Sequence, residues 1–196
     1  MSIKVTNLNK AFNGQKVLND LSFEINEGEF TCIMGKSGIG KTTFLNILMG
    51  LMEADSGEIE GLKGKKLSCV FQEDRLCENI TAVFNIKMVT DIAKSYSYED
   101  ILNTLKKVDI DGLDKKPVSK YSGGMKRRVA IVRALMADFD LLILDEPFKG
   151  LDDNTKGKCV ALIKEMTKGK SVICVTHSEE DVKLFDARLI RIEESK

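Results

Sequence analysis

The sequence predicts an α/β fold: a mixed sheet core carrying helices, an antiparallel β part at the N-terminus and an inserted α-helical subdomain. Three observations carry that prediction. Short apolar runs over 30–34, 67–71, 141–144 and 171–176 read as buried strands. Helical spacing of apolar residues recurs between them. Residues 75–118 lose the strand pattern altogether, so 1–74 and 119–196 form the core of a single domain and 75–118 an insertion.

Composition narrows the class. Hydrophobic residues make up 43% and charged residues 31% of 196, enough for one substantial core. Lys+Arg and Asp+Glu are 30 each, so no basic field argues for a nucleic-acid partner and none is expected. No apolar run approaches the roughly 20 residues that span a bilayer, and Met1-Ser2-Ile3-Lys4 has no signal-peptide core, so a cytoplasmic protein is expected. Cys32, Cys69, Cys77, Cys159 and Cys174 show no C-x-x-C spacing and are expected as small core residues.

The elements follow in order. Ile3-Lys4-Val5, Val17-Leu18 and Leu21–Ile25 alternate, and Asn13-Gly14 and Glu27-Gly28 punctuate them as hairpin turns. Phe12, just before the first turn, either stacks on an adenine ring or packs in the core. Phe30–Met34 is a strand leading into Gly35-Lys36-Ser37-Gly38-Ile39-Gly40-Lys41-Thr42-Thr43, which fits the phosphate-binding pattern G-x-x-x-x-G-K-[ST]. Each residue type has a task there. Glycines let backbone N–H groups turn toward phosphate oxygens, Lys41 reaches the β/γ-phosphates and Thr42 offers its hydroxyl to Mg²⁺. A helix from Thr43 stops at Gly50.

Gly57–Gly61 reads as a short strand and Leu67–Phe71 as a buried one ending at Gln72. In the insertion, Val83-Phe84, Ile86 and Val89–Ile92 fall at helical spacing. Ser97-Tyr98-Glu99-Asp100 is a capping box opening a helix with Ile101, Leu102, Leu105 and Val108 on its apolar face. Pro117 closes the insertion. Ser122 then N-caps a helix with Met125, Val129, Val132 and Met136 on one face, and Gly123-Gly124 expose amides at its positive end. This second anion-binding device needs another ligand, another part of the same nucleotide, or another subunit's nucleotide.

Leu141–Leu144 is a strand ending in Asp145-Glu146-Pro147, where adjacent carboxylates point opposite ways: one can order a Mg²⁺ shell while the other faces attacking water. A helix with Cys159, Leu162, Ile163 and Met166 ends at Gly169. The strand Ser171–Thr176 delivers His177, the single histidine, and Arg188–Glu193 is the last strand. Ligands of open α/β sheets bind at strand carboxyl ends, where Gly35, Gln72, Asp145 and His177 all fall.

Over nearly the whole chain this order of motifs resembles the ATP-binding subunit of an ABC transporter. Residues 35–42 match its Walker A loop, Gln72 in Val70-Phe71-Gln72-Glu73-Asp74 the Q-loop, and Ser122-Gly123-Gly124 the signature. Leu141–Glu146 match Walker B, Leu151-Asp152 the D-loop and His177 the switch histidine. The resemblance implies a P-loop NTPase fold, ATP and Mg²⁺ as cofactors, and a phosphate cradle of Gly35 to Thr43. It implies Asp145, Thr42 and Gln72 at the metal, Glu146 as general base, His177 orienting γ-phosphate and water, and Phe12 stacking on adenine. Ser122, Gly123 and Gly124 are implied to meet the γ-phosphate held by a second ATPase subunit, identical or a close paralogue.

The chain departs from the family's usual pattern at Tyr121 and Met125, where Leu and Gln are common, and at Phe12, where Tyr is common. Phe71–Leu76 with Ser122–Lys126 resembles importers of the nitrate, taurine and sulfonate type. The implied function is ATP hydrolysis powering import through a separate membrane permease, at the inner face of the cell membrane. Two alternatives compete with it. A soluble ABC-type ATPase acting on a non-membrane partner usually carries two cassettes or added domains, and a P-loop kinase leaves Ser122-Gly123-Gly124 and His177 without a role.

Overall fold

Strand pairing divides the chain into two sheets. The computed structural model describes residues 2–90, 96–112 and 115–192. β1 (Ile3–Phe12) and β2 (Gln15–Ile25) form an antiparallel hairpin through Asn13-Gly14, both at positive φ as Asn-Gly turns favour. β4 (Ser56–Glu60) pairs antiparallel with the other side of β1, giving the order β2-β1-β4. β3 (Phe30–Met34), β5 (Leu67–Val70), β6 (Leu141–Asp145), β7 (Ser171–Val175) and β8 (Arg188–Arg191) form a second sheet in the order β5-β6-β7-β3-β8, with every pairing parallel. The mixture of pairings is thus shared out between two sheets.

Glu27-Gly28 does not close a hairpin. Gly28 takes a φ of 73°, but the chain leaves the first sheet there for the second. β2 alternates buried and exposed positions, whereas β3 is apolar or buried throughout and needs partners covered on both faces, which β7 supplies.

That double cover explains the continuous apolar runs. Leu142, Leu144, Val172, Cys174 and Cys32 face a cluster shared with the helices of the insertion, α4 (Gly123–Met136) and α5 (Asp153–Met166). Leu141, Ile143, Ile173, Val175 and Ile33 face a second cluster with α1 (Lys41–Leu48) and the antiparallel sheet. β5 is the exception: it lies at the sheet edge and Leu67 is exposed, so the expected buried strand is only half covered. The cysteine expectation also needs correction. Cys32, Cys159 and Cys174 are buried, but Cys77 is exposed on the irregular segment after β5.

In the insertion, Thr81 caps α2 (Ala82–Lys87), which stops before Val89; Ile92 lies outside the described residues, as does Glu193. The capping box of α3 (Tyr98–Lys106) forms as expected, with Ser97 Oγ accepting from Asp100 N at 3.0 Å and Asp100 Oδ2 accepting from Ser97 N at 2.9 Å. Ile101, Leu105 and Val108 are buried. An isolated antiparallel bridge joins Thr81 to Pro117. α6 (Glu179–Phe185) links β7 to β8. No helix among the described residues is long and apolar enough to cross a membrane.

Candidate functional site

Parallel pairing brings the carboxyl ends of β5, β6, β7 and β3 to one edge, so Gln72, Asp145, His177 and Gly35 assemble from segments distant in sequence. At Gly40, the N-cap of α1, φ is 103°, and a Cβ would lie 2.7 Å from the Val17 carbonyl oxygen and from a Leu18 methyl. Only glycine fits that left-handed, crowded position. The Lys41 ammonium donates to the carbonyls of Gly35 at 2.7 Å and Lys36 at 2.9 Å, arching over the loop. With no side-chain cap and no acid in its first turn, α1 presents orphan amides beside that cation.

Thr42 Oγ1 donates to Asp145 Oδ2 at 3.4 Å. Burial pushes the Asp145 carboxyl above the usual aspartate range; the Thr42 hydroxyl opposes this shift and the Glu146 charge adds to it. Thr42, Asp145, Gln72, Lys41 and Glu146 line one cavity of about 210 Å³. Hydroxyl, carboxylate and amide oxygens are a hard-cation donor set. No cluster of three or more His, Cys, Asp or Glu suited to a metal occurs among the described residues. That combination fits Mg²⁺, which takes one or two carboxylates and completes its shell with water and substrate phosphate.

Glu146 does not simply continue the strand alternation. The strand ends at Asp145, and Glu146 adopts φ 47°, with its N–H donating to Val175 O at 2.9 Å. Non-glycine residues in this region are uncommon and carry strain that surrounding contacts must hold. The turn aims the carboxylate at β7's end, where Glu146 Oε2 lies 2.8 Å from His177 Nδ1. Glu146 is largely covered and His177 is open to solvent, with side chains 17% and 75% exposed.

Ser122, Gly123 and Gly124 do not join the Lys41 cavity. Ser122 Oγ caps α4 by accepting from Met125 N at 3.3 Å. The two glycines line a separate cavity of about 510 Å³ with Asp74, Arg127 and Lys149, and Gln72 borders both cavities. Phe12 is 42% exposed, which removes the core alternative. Its register partner Gln15 lines an open groove that runs along Ser37 and Gly38.

Sequence reasoning missed the fastening of Gln72. Arg127 is buried on α4, donates to Phe71 O at 2.6 Å and to Gln72 O, and lies 3.2 Å from Asp74 Oδ1. Arg133, two turns later, donates to the carbonyls of Asp74 and Arg75. Arginines on the packed side of an otherwise apolar helix face were the available signal.

A family model described as ABC transporter matches residues 18–149, two thirds of the chain. The chain belongs to the ABC transporter family. This ABC cassette is 36% identical to the taurine import ATP-binding protein of Pelagibacter ubique, over 93% of the chain and 75% of the relative. It is 32% identical to an aliphatic sulfonates import ATP-binding protein of Bacillus cereus, over 97% and 80%. It is 34% identical to a spermidine/putrescine import ATP-binding protein of Clostridium novyi, over 96% of the chain but only 58% of that longer relative. A solved dimeric cassette in a post-hydrolysis state, bound to ADP and Pi, superposes with a TM-score of 0.84 at 28% identity, covering 97% of this chain and 94% of that one. As an ABC cassette the chain has the P-loop NTPase fold and is an ATPase whose cofactors are ATP and Mg²⁺.

Proposed function

We propose that this ABC ATPase is one of a pair of cytoplasmic subunits that power import through a separate membrane permease. The observation that carries the reading is the presence of two anion-ready devices, the Lys41 loop and the Ser122 helix end, in different cavities of one chain. A head-to-tail pair unites them: Ser122, Gly123 and Gly124 of each subunit meet the γ-phosphate held by Lys41 of the other. The partner ATPase is a second copy or a close paralogue. Relatives named as import subunits support the direction of transport. The surface around α2 faces the permease; Phe84 and Met88, 59% and 66% exposed on and just after α2, supply apolar contact area. Relatives named for aliphatic sulfonates, which are anions, and for polyamines, which are cations, serve substrates of opposite charge, so substrate choice lies in the permease system.

Within the paired site, Gly35 to Thr43 cradle the phosphates and Phe12 stacks on adenine. Thr42, Asp145 and Gln72 would hold Mg²⁺, which would supply positive charge against the phosphates. Glu146 accepts the proton of the attacking water as its oxygen bonds to the γ-phosphorus and ADP departs. His177 holds the Glu146 carboxylate and meets the γ-phosphate.

Glu146→Gln keeps the side chain's reach but cannot accept the proton, so hydrolysis should slow by about 10²–10⁴-fold while ATP still binds. Unhydrolysed ATP then adheres the subunits by mass action. Light scattering after size exclusion should give a dimer in MgATP and a monomer in MgADP. A variant that binds ATP tightly yet stays monomeric in the presence of the candidate paralogue overturns the paired reading. Co-purification with a multi-span membrane protein tests the permease.

A further inference from the structure

We propose that Asp181 and Lys156 are positioning residues that aim His177 at Glu146 through the Thr176 hydroxyl; this rests on the reading of His177 given above. His177 follows β7 and is widely exposed, so its direction depends on the backbone that carries it. That backbone is held on both sides of the histidine. Thr176 N donates to Ile33 O at 3.2 Å, pinning the segment to β3. The Thr176 hydroxyl, almost fully buried, accepts from Ser178 N at 3.1 Å and donates to Asp181 Oδ2 at 2.6 Å. One hydroxyl therefore clasps the residues before and after His177, and Asp181 holds the hydroxyl.

Asp181 is itself buried, 4% exposed, and its other oxygen lies 2.7 Å from Lys156 Nζ on α5. Lys156 also donates to Glu180 Oε2 at 2.8 Å and sits 5.9 Å from the centre of the Phe148 ring, two residues beyond Glu146. Burial works against the Lys156 charge, but Asp181 and Glu180 outweigh it and leave its pKa above the ordinary lysine value. Arg191 pairs with Glu179, the neighbouring acid of α6, at 2.8 Å, leaving Lys156 as the cation on Asp181. Removing one member of a buried pair leaves the other uncompensated, so either loss loosens the clasp.

His177 is the single histidine of the chain, so its imidazole gives one assignable NMR signal in the whole protein. Asp181→Asn and Lys156→Met should move that signal in the same direction as Glu146→Gln does, while Lys156→Arg leaves it in place. In ATPase assays Asp181→Asn should lower kcat about 10–100-fold with KM for ATP within about twofold, the loss expected of a misplaced catalytic group. In a His177→Ala background the same substitution should change kcat by less than about twofold. An unmoved His177 signal in a folded Asp181→Asn protein overturns the proposal, as does an equal kcat loss in both backgrounds. Full activity of His177→Ala alone overturns the catalytic reading of His177 instead, and the NMR arm still decides the positioning.

Discussion

The amino ends of α1 and α4 both lack an acid in the first turn, yet they are finished differently. At α1 the N-cap is Gly40, with no side chain to accept an amide, and Lys41 supplies a cation over the same loop. At α4 the cap is Ser122, whose hydroxyl already takes the Met125 amide, and the nearby Lys126 is paired with Glu78 at 2.5 Å. Amides plus a cation plus the Asp145 and Thr42 oxygens can bind nucleotide within one chain. A half-closed end whose neighbouring lysine is neutralised leaves fewer free donors for a phosphate than the end of α1. On the proposed pairing, the first end would hold the nucleotide and the second would read what the partner holds.

The largest effect that tests this contrast belongs to Lys41→Ala. Removing the cation from the complete end should cut ATP hydrolysis by about 10²–10³-fold and depress nucleotide affinity, measured by equilibrium binding of a fluorescent ATP analogue. Retained binding and turnover would erase the distinction between the ends. Ser122→Ala should be milder: hydrolysis about 10-fold lower, ATP affinity of the isolated subunit unchanged, and helix stability lowered by about 1 kcal/mol through the lost cap. Mixing Ser122→Ala with Lys41→Ala sharpens the contrast, because one site of the mixed pair would join an intact Lys41 to an intact Ser122. Recovered turnover in the mixture is the expected result, and none at all would mean that the reader acts within its own chain. The smallest effect belongs to α3, whose end is closed by its own capping box and by Glu99 and Asp100. Ser97→Ala should cost about 1 kcal/mol in urea unfolding and leave ATPase activity unchanged; a fall in turnover without one in stability would show that this end too is tied to the site.

What was legible in the sequence was local. The left-handed glycine cap of α1, the Ser122 cap and the Ser97–Asp100 box each depend on residues within a turn or two, and all three form. The site's edge was legible because strand ends and parallel order together place Gly35, Gln72, Asp145 and His177. The misses were long-range. Glu27-Gly28 has the composition of a hairpin turn, but the apolar β3 finds its partners about 140 residues away, Phe30 against Val172. Arg127 and Arg133 bind backbone carbonyls, which carry no side-chain signature for a reader of sequence to match. Glu146 looked like the next residue of a strand; its left-handed turn depends on the Val175 carbonyl, some thirty residues on.

The position of β3 between β7 and β8 sets an order of events at the ribosome. The antiparallel sheet needs nothing beyond residue 60 and can pair early in synthesis. β3 and its phosphate loop emerge in the same interval, yet both strands that flank β3 belong to residues 171–191. Until residues 171–191 have been made, the glycine-rich loop at 35–43 therefore follows an apolar strand with neither edge paired, a state exposed to mispairing and to capture by chaperones. The strand edge that gathers Gly35, Gln72, Asp145 and His177 is complete only once β7 has been made and paired with β3.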